Sequence, residues 1–339
     1  MKSFNNLYER IYNFENLLTA YLKARRNKRY KKEVLEFSKN LEENLIIIQN
    51  ELLHKKYKPS RYREFLVYEP KKRLILALPF KDRVVHQAIC SVIEPIFDST
   101  FIHDTYACRK GKGTLAGVKR NAYFLNKAIM NNAKIYYLKM DVSKYFYSID
   151  HGILKLLLRK KLRCKDTLEL LDVIIDSTDD PGIPVGNLTS QLFANIYLSS
   201  LDHFIKEELG IKYYVRYMDD MIILHHDKRQ LWEWFARIKL FLEEKLKLKF
   251  NGKTSVSNIN GGIDFLGYRQ YPANRILRKR VMIKNYRKFK KLKRIDAQNK
   301  IIKSLASLKG QCLHCSSKKV LNNIKQIIGE ELWERTSLN

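Results

Sequence analysis

Tyr213-Tyr-Val-Arg-Tyr-Met-Asp-Asp-Met-Ile-Ile-Leu224 is the stretch whose reading decides the fold. Tyr213 to Tyr217 is aromatic and β-branched, and Met221 to Leu224 is a second apolar run; each has the length and composition of a strand. Asp219 and Asp220 stand between them, so a tight hairpin carries two adjacent carboxylates at its tip. Like charges that close resist ionising together. A divalent cation relieves the repulsion, and hard oxygen ligands suit Mg²⁺ or, as a substitute, Mn²⁺. The plain alternative is a solvated acidic turn, since Asp is a common turn residue.

Outward from the hairpin, Ile135-Tyr-Tyr-Leu-Lys-Met-Asp141 reads as a strand ending in a third carboxylate. Two metal ions roughly 3.5–4 Å apart need carboxylates converging on them. Asp141, Asp219 and Asp220 supply that set, with the carbonyl of Val142 as a further ligand. Such a pair of ions lowers the pKa of an attacking hydroxyl and offsets charge on a departing pyrophosphate.

Composition narrows the partners. The chain has 339 residues, with 65 Lys+Arg against 35 Asp+Glu and a net charge of +30. A surface so positive attracts polyanions, nucleic acid first, because neutralised phosphates release counterions. No stretch approaches the roughly 20 apolar residues of a membrane span, and no signal-peptide core follows Met1. The five cysteines are odd in number and mostly far apart, which argues against a disulfide framework and for a reducing cytoplasm.

The remaining chain reads mostly as helices. Leu7, Ile11, Phe14, Leu18 and Tyr21 predict one opening amphipathic helix. The basic run Lys23-Ala-Arg-Arg-Asn-Lys-Arg-Tyr-Lys-Lys32 follows and suits a phosphate backbone; a second helix is expected over 34–53. Residues 64–80 predict two strands joined around Pro70-Lys71-Lys72, with Arg73 opening the second, and a helix from Lys81. Tyr106-Ala-Cys-Arg-Lys-Gly-Lys-Gly-Thr114 is a basic loop before another helix. A helix is expected near 151–161, with Asp150 as its N-cap, and another over 188–209 after Thr178-Asp-Asp-Pro-Gly-Ile-Pro-Val-Gly-Asn187. Residues 231–246 predict a helix, and 247–254 with 262–271 strand–turn–strand. The segment from Arg275 to Arg294 holds 11 basic residues and no acidic one, with a narrow apolar stripe of Tyr286, Phe289 and Leu292. Residues 307–324 read as one helix, which makes Cys312-Leu-His-Cys315 a poor zinc site.

Asp141-Val-Ser-Lys-Tyr-Phe146 and Tyr217-Met-Asp-Asp220 resemble the first aspartate block and the catalytic hairpin of the reverse transcriptases. Within that family the chain is similar to the enzymes of diversity-generating retroelements. Leu7-Tyr-Glu-Arg-Ile-Tyr-Asn-Phe-Glu-Asn16, Tyr68-Glu-Pro-Lys-Lys-Arg-Leu-Ile75 and Asp82-Arg-Val-Val-His86 carry that match, as does Ile183-Pro-Val-Gly-Asn-Leu-Thr-Ser-Gln191. Most reverse transcriptases have Gln before the glycine of the last motif and Pro after its serine; here Val185 and Gln191 stand there. The Asn-Ala-x-x-His and Val-Thr-Gly motifs of retron enzymes do not occur.

The resemblance implies roles. Asp141, Asp219 and Asp220 match the metal-binding carboxylates. Arg73, with Lys71 or Lys72, matches the residues that close on the nucleotide phosphates. Lys144 and Tyr145 would offer backbone N–H groups to the triphosphate, and Phe146 matches the gate against a ribose 2′-hydroxyl. Val185, Gly186 and Gln191 match residues beside the incoming nucleotide, and Lys253 the general acid for pyrophosphate. Gly262-Ile-Asp-Phe-Leu-Gly-Tyr268 matches the primer grip. Val at 185 removes a polar check on base pairing, and the resemblance to the diversity-generating group implies errors opposite template adenine.

The expected architecture is thus an α+β right-hand polymerase. Residues 1–112 form N-terminal helices and fingers, 113–272 a palm with a fingers insertion at 151–182, and 273–339 a basic helical thumb. The expected partners are a template-repeat RNA, its cDNA and primer, and a small helical accessory protein; no membrane and no added endonuclease or RNase H region is expected. Two alternatives stay open: the reverse transcriptase of another retroelement, retron or group II intron-like, and a non-catalytic RNA-binding scaffold.

Overall fold

The computed structural model describes residues 4–68, 72–132 and 134–335. In chain order it forms α1 (Tyr8–Tyr12), α2 (Phe14–Ala24), α3 (Lys32–Lys39), α4 (Leu41–Leu53), β1 (Arg63–Val67), β2 (Arg73–Ala77), α5 (Phe80–Asp98) and α6 (Thr114–Asn131). Then come β3 (Tyr136–Asp141), α7 (His151–Arg159), α8 (Lys165–Ile175), α9 (Leu188–His203), β4 (Tyr214–Tyr217), β5 (Asp220–His225) and α10 (Lys228–Leu246). The chain continues through β6 (Ser255–Asn258), β7 (Ile263–Phe265), β8 (Tyr268–Gln270), β9 (Arg275–Leu277), α11 (Lys279–Arg294), α12 (Gln298–Cys312), α13 (Lys318–Ile328) and α14 (Glu330–Glu334). Strands β4-β5-β3-β6 are hydrogen-bonded in that order, β1 pairs antiparallel with β2, and β7-β8-β9 form a separate antiparallel sheet.

Two compact units partition the chain. The first comprises residues 1–113, 140–221 and 233–254. Its centre is α5, against which α2 and α9 pack. Helix α9 is buried on nearly every side from Thr189 to Leu198, as a helix apolar all round must be. The motif Asp82–His86 lies on α5 and is structural: buried Asp82 accepts from the Tyr57 hydroxyl at 2.8 Å, and the Thr189 hydroxyl meets His86 Nδ1 at 2.8 Å. Burial pushes the His86 pKa down to about 4, so it stays neutral.

The second unit comprises residues 114–139, 222–232 and 255–339. Its core gathers Val118, Tyr268, Leu277 and Phe289 with Ile301, Leu305, Leu308, Ile324 and Ile328. The apolar stripe of α11 therefore faces this core through Phe289 and Leu292, leaving its cationic flank outside.

Several expectations are corrected. The opening helix is two, because Asn13 leaves helical geometry and its side chain caps α2 through the Glu15 and Asn16 amides. Likewise Asn40 divides 32–53 into α3 and α4. Residues 247–254 are not a strand; Lys247 is left-handed and Phe250 alone bridges Val142, so the ladder starts at Ser255. Residues 275–277 pair with β8 before the basic helix begins. Residues 307–324 break between α12 and α13, with Cys312 buried in the core of the second unit. Asp150 does cap α7, accepting from the Ile153 amide at 2.9 Å. Among the described residues no helix is long and apolar enough to cross a membrane.

Candidate active site

The hairpin forms as its sequence predicts. β4 and β5 are buried apolar strands, and Met218 turns the chain with φ +56°, leaving Asp219 and Asp220 half-buried at the bend. The turn is anchored to the end of β3, where the Val142 amide donates to the Asp219 carbonyl at 3.4 Å. This brings the carboxyls of Asp141 and Asp219 close enough to interact. Burial, and then the Asp141 charge, push the Asp219 pKa from 3.8 up to about 6.

The residues from 249 to 253 line the other side of Asp141. The Ser143 amide donates to the Lys249 carbonyl at 2.8 Å and the Asn251 amide to the Asp141 carbonyl at 2.9 Å. The Asn251 side-chain amide donates to the Asp141 carboxylate, and its oxygen accepts from the Lys253 amide at 2.8 Å. Lys253 itself is exposed. Sequence reading missed Asn251 although it stands two residues before Lys253. An amide so close to a candidate acid was the available signal.

The arrangement fits a divalent cation through the chemistry of its donors: two carboxylates forced together at a cost that a cation would remove. Of the three expected carboxylates, Asp141 and Asp219 interact most strongly. Among the described residues no three His, Cys, Asp or Glu side chains gather as a ready metal centre. Asp220 follows Asp219 directly at the start of β5, and its charge is a lesser cause of the raised Asp219 pKa.

Of the candidate nucleotide residues, Lys144, Tyr145 and Phe146 follow Asp141 closely along the chain. Lys144 is exposed and left-handed (φ +46°) and leads into a 3₁₀ turn at Tyr145–Ser148. Tyr145 is buried, its hydroxyl donating to the Ala194 carbonyl, and half-buried Phe146 stands next to it. The Ile183 amide donates to the Phe146 carbonyl at 2.8 Å, and the Leu76 amide of β2 donates to the Val185 carbonyl at 3.3 Å. Gly186 needs its glycine: φ is +123°, and a Cβ would lie 3.2 Å from Ile75 Cγ2. Half-buried Gln191 sits one turn into α9. Lys72 and Arg73 are exposed at the start of β2, opposite Val67; Lys71 and the turn at Pro70 lie outside the described residues.

Residues 56–270, more than half of the chain, match the family model described as reverse transcriptase (RNA-dependent DNA polymerase). Protein YkfC of Escherichia coli K12 is 27% identical over 271 residues, covering 66% of this chain and 70% of its own length. The group II intron-encoded protein LtrA of Lactococcus lactis is 22% identical over 287 residues, covering 62% of this chain and 47% of LtrA. Apo telomerase from Candida tropicalis superposes with a TM-score of 0.53 at 14% identity, over 64% of this chain and 55% of that one. The chain thus spans only about half the length of LtrA and of that telomerase. The fold is α+β, that of the right-hand polymerases.

Proposed function

The chain belongs to the reverse transcriptase (RNA-dependent DNA polymerase) family, and on that premise we propose that it copies RNA into DNA at the Asp141–Asp219 pair. The observation that carries this reading is the forced contact of those two carboxyls, with Asn251 orienting one of them. Asp141, Asp219 and Asp220, with the Val142 carbonyl, would hold Mg²⁺. Bound there, Mg²⁺ supplies Lewis-acid activation of a primer 3′-hydroxyl and charge neutralisation at pyrophosphate. Arg73 and Lys72 grip the triphosphate, for which the planar guanidinium is suited, and the backbone at Lys144 and Tyr145 receives it. Phe146 excludes a 2′-hydroxyl by bulk. Gly186 and Gln191 shape the nucleotide's surroundings, and Lys253 protonates the leaving pyrophosphate. In this reading residues 1–112 are fingers, 113–272 palm with a fingers insertion at 151–182, and 273–339 thumb.

The finer assignment is a diversity-generating enzyme that copies a template-repeat RNA with errors opposite adenine, aided by a small helical accessory protein. Val185 with Gln191 supports it: the Val185 backbone is tied to β2, and its side chain offers only methyl groups to a base pair. A second reading, the reverse transcriptase of a group II intron-like element, draws on the similarity to LtrA. Copying a primed RNA containing all four bases and sequencing the cDNA separates them. Errors concentrated at template adenine support the first reading, and uniformly accurate cDNA the second. A chain that makes no DNA even with its cognate RNA and accessory partner would be a scaffold.

A further inference from the structure

Among the described residues Arg216 is the largest side chain wholly removed from solvent. It lies in β4, two residues before Met218. Its guanidinium forks onto fully buried Asp202 of α9, Nε to Oδ1 at 2.7 Å and Nη2 to Oδ2 at 2.6 Å. The Tyr214 hydroxyl donates to the same carboxylate at 2.7 Å and the Thr105 hydroxyl at 3.2 Å. Nη1 turns the other way and donates to the Met218 carbonyl at 3.0 Å and to Asn195 Oδ1 at 3.4 Å. Asn195 is held in turn by the Ala107 carbonyl at 2.9 Å.

A buried ion pair is a poor device for stability, since apolar residues of like volume usually do as well or better. Here the pair carries polar contacts that apolar residues do not reproduce, and one of them reaches the Met218 carbonyl. That residue is neither Gly nor Asn, yet it adopts φ +56°, a conformation that costs an L residue energy and persists only where its surroundings impose it. The carbonyl gripped by Arg216 belongs to the peptide bond that leads into Asp219. We propose that Arg216 is a positioning residue that fixes the Met218–Asp219 peptide and so aims the Asp219 carboxylate at Asp141. The Asp202 carboxylate, with Tyr214, Thr105 and Asn195, sets the guanidinium so that its Nε–Nη2 edge serves the pair and Nη1 serves the turn. Lys keeps the charge but has no fork with which to do both. The proposal rests on the polymerase reading only for its consequence, not for the geometry.

The test compares wild type, Arg216→Lys and the double variant Arg216→Met/Asp202→Leu by urea unfolding, single-nucleotide incorporation on a primed RNA, and Mn²⁺ titration by electron paramagnetic resonance. The double variant leaves the Tyr214 and Thr105 hydroxyls, Asn195 Oδ1 and the Met218 carbonyl without their partners, so its stability should fall, while kcat of the folded protein falls about 10- to 100-fold through a misplaced carboxylate. Its KM for the nucleotide should stay unchanged and its Mn²⁺ affinity should drop; Arg216→Lys should lower kcat in the same direction. A folded double variant with wild-type kcat and Mn²⁺ affinity would overturn the proposal and leave the pair a packing element. If the double variant does not fold, unchanged kcat and Mn²⁺ affinity in Arg216→Lys overturn it. Should wild type itself make no DNA, the polymerase reading fails separately, and the Mn²⁺ titration still decides the role of Arg216.

Discussion

In Asp219→Asn a neutral amide of the same shape replaces the carboxylate that the fold forces against Asp141. The Asp219 carboxyl titrates at about 6 rather than 3.8, because burial and the Asp141 charge disfavour its ionised form. Ionising it in the folded protein therefore works against folding. The sign follows from proton binding: between the unfolded and folded pKa the folded state holds more protons, so stability falls as pH rises from about 4 to about 6. A displacement of this size corresponds to roughly 3 kcal/mol. Partial solvent access and sharing of the proton with Asp141 reduce that to about 1–2 kcal/mol. Urea unfolding without divalent metal at pH 7.5 should thus show Asp219→Asn to be the more stable protein, with the gap closing towards pH 4.5. Added Mg²⁺ should stabilise wild type and not the variant. A variant no more stable than wild type at pH 7.5, or a gap that persists unchanged to pH 4.5, would refute the reasoning about the pair.

Other perturbations read other parts of the site. Arg73→Ala should raise the KM for deoxynucleotide about tenfold or more in steady-state incorporation, since a charge-assisted bond to phosphate is worth roughly 1.5–3 kcal/mol; an unchanged KM would remove Arg73 from the phosphate contacts. Phe146→Ala should admit ribonucleotides, read as the ratio of kcat/KM for the two sugars, with deoxynucleotide use little affected. Val185→Gln should lower misincorporation opposite template adenine in sequenced cDNA, and unaltered adenine errors would separate Val185 from fidelity.

The fold was legible where pattern and packing agree. The Tyr213–Leu224 hairpin, the strand ending at Asp141 and the β1–β2 pair all stand as their alternation predicts. The pattern misled where a single polar residue interrupts a helix that periodicity alone would continue. Asn13 caps and restarts a helix, and Asn40 breaks another, inside unbroken apolar spacing. Residues 247–254 were misread because their apolar content packs without a ladder, apart from Phe250 against Val142. The site showed the same limit. Its charged residues stood out, whereas Asn251 and Arg216 act through partners distant in sequence, Asp141 and Asp202. Arg216 lay in plain view inside an otherwise apolar strand. A lone cation in a buried strand requires a buried anion, and only the folded chain shows which one.

The measurement that tests the central claim most directly is metal-dependent extension of a DNA primer on an RNA template by the purified chain, with Asp141→Ala and Asp219→Ala assayed beside it. The account predicts Mg²⁺-dependent DNA synthesis by wild type, lost in both variants while their folding and RNA binding persist. Undiminished synthesis by either variant would contradict it, because the carboxyl pair would then not be where the reaction takes place.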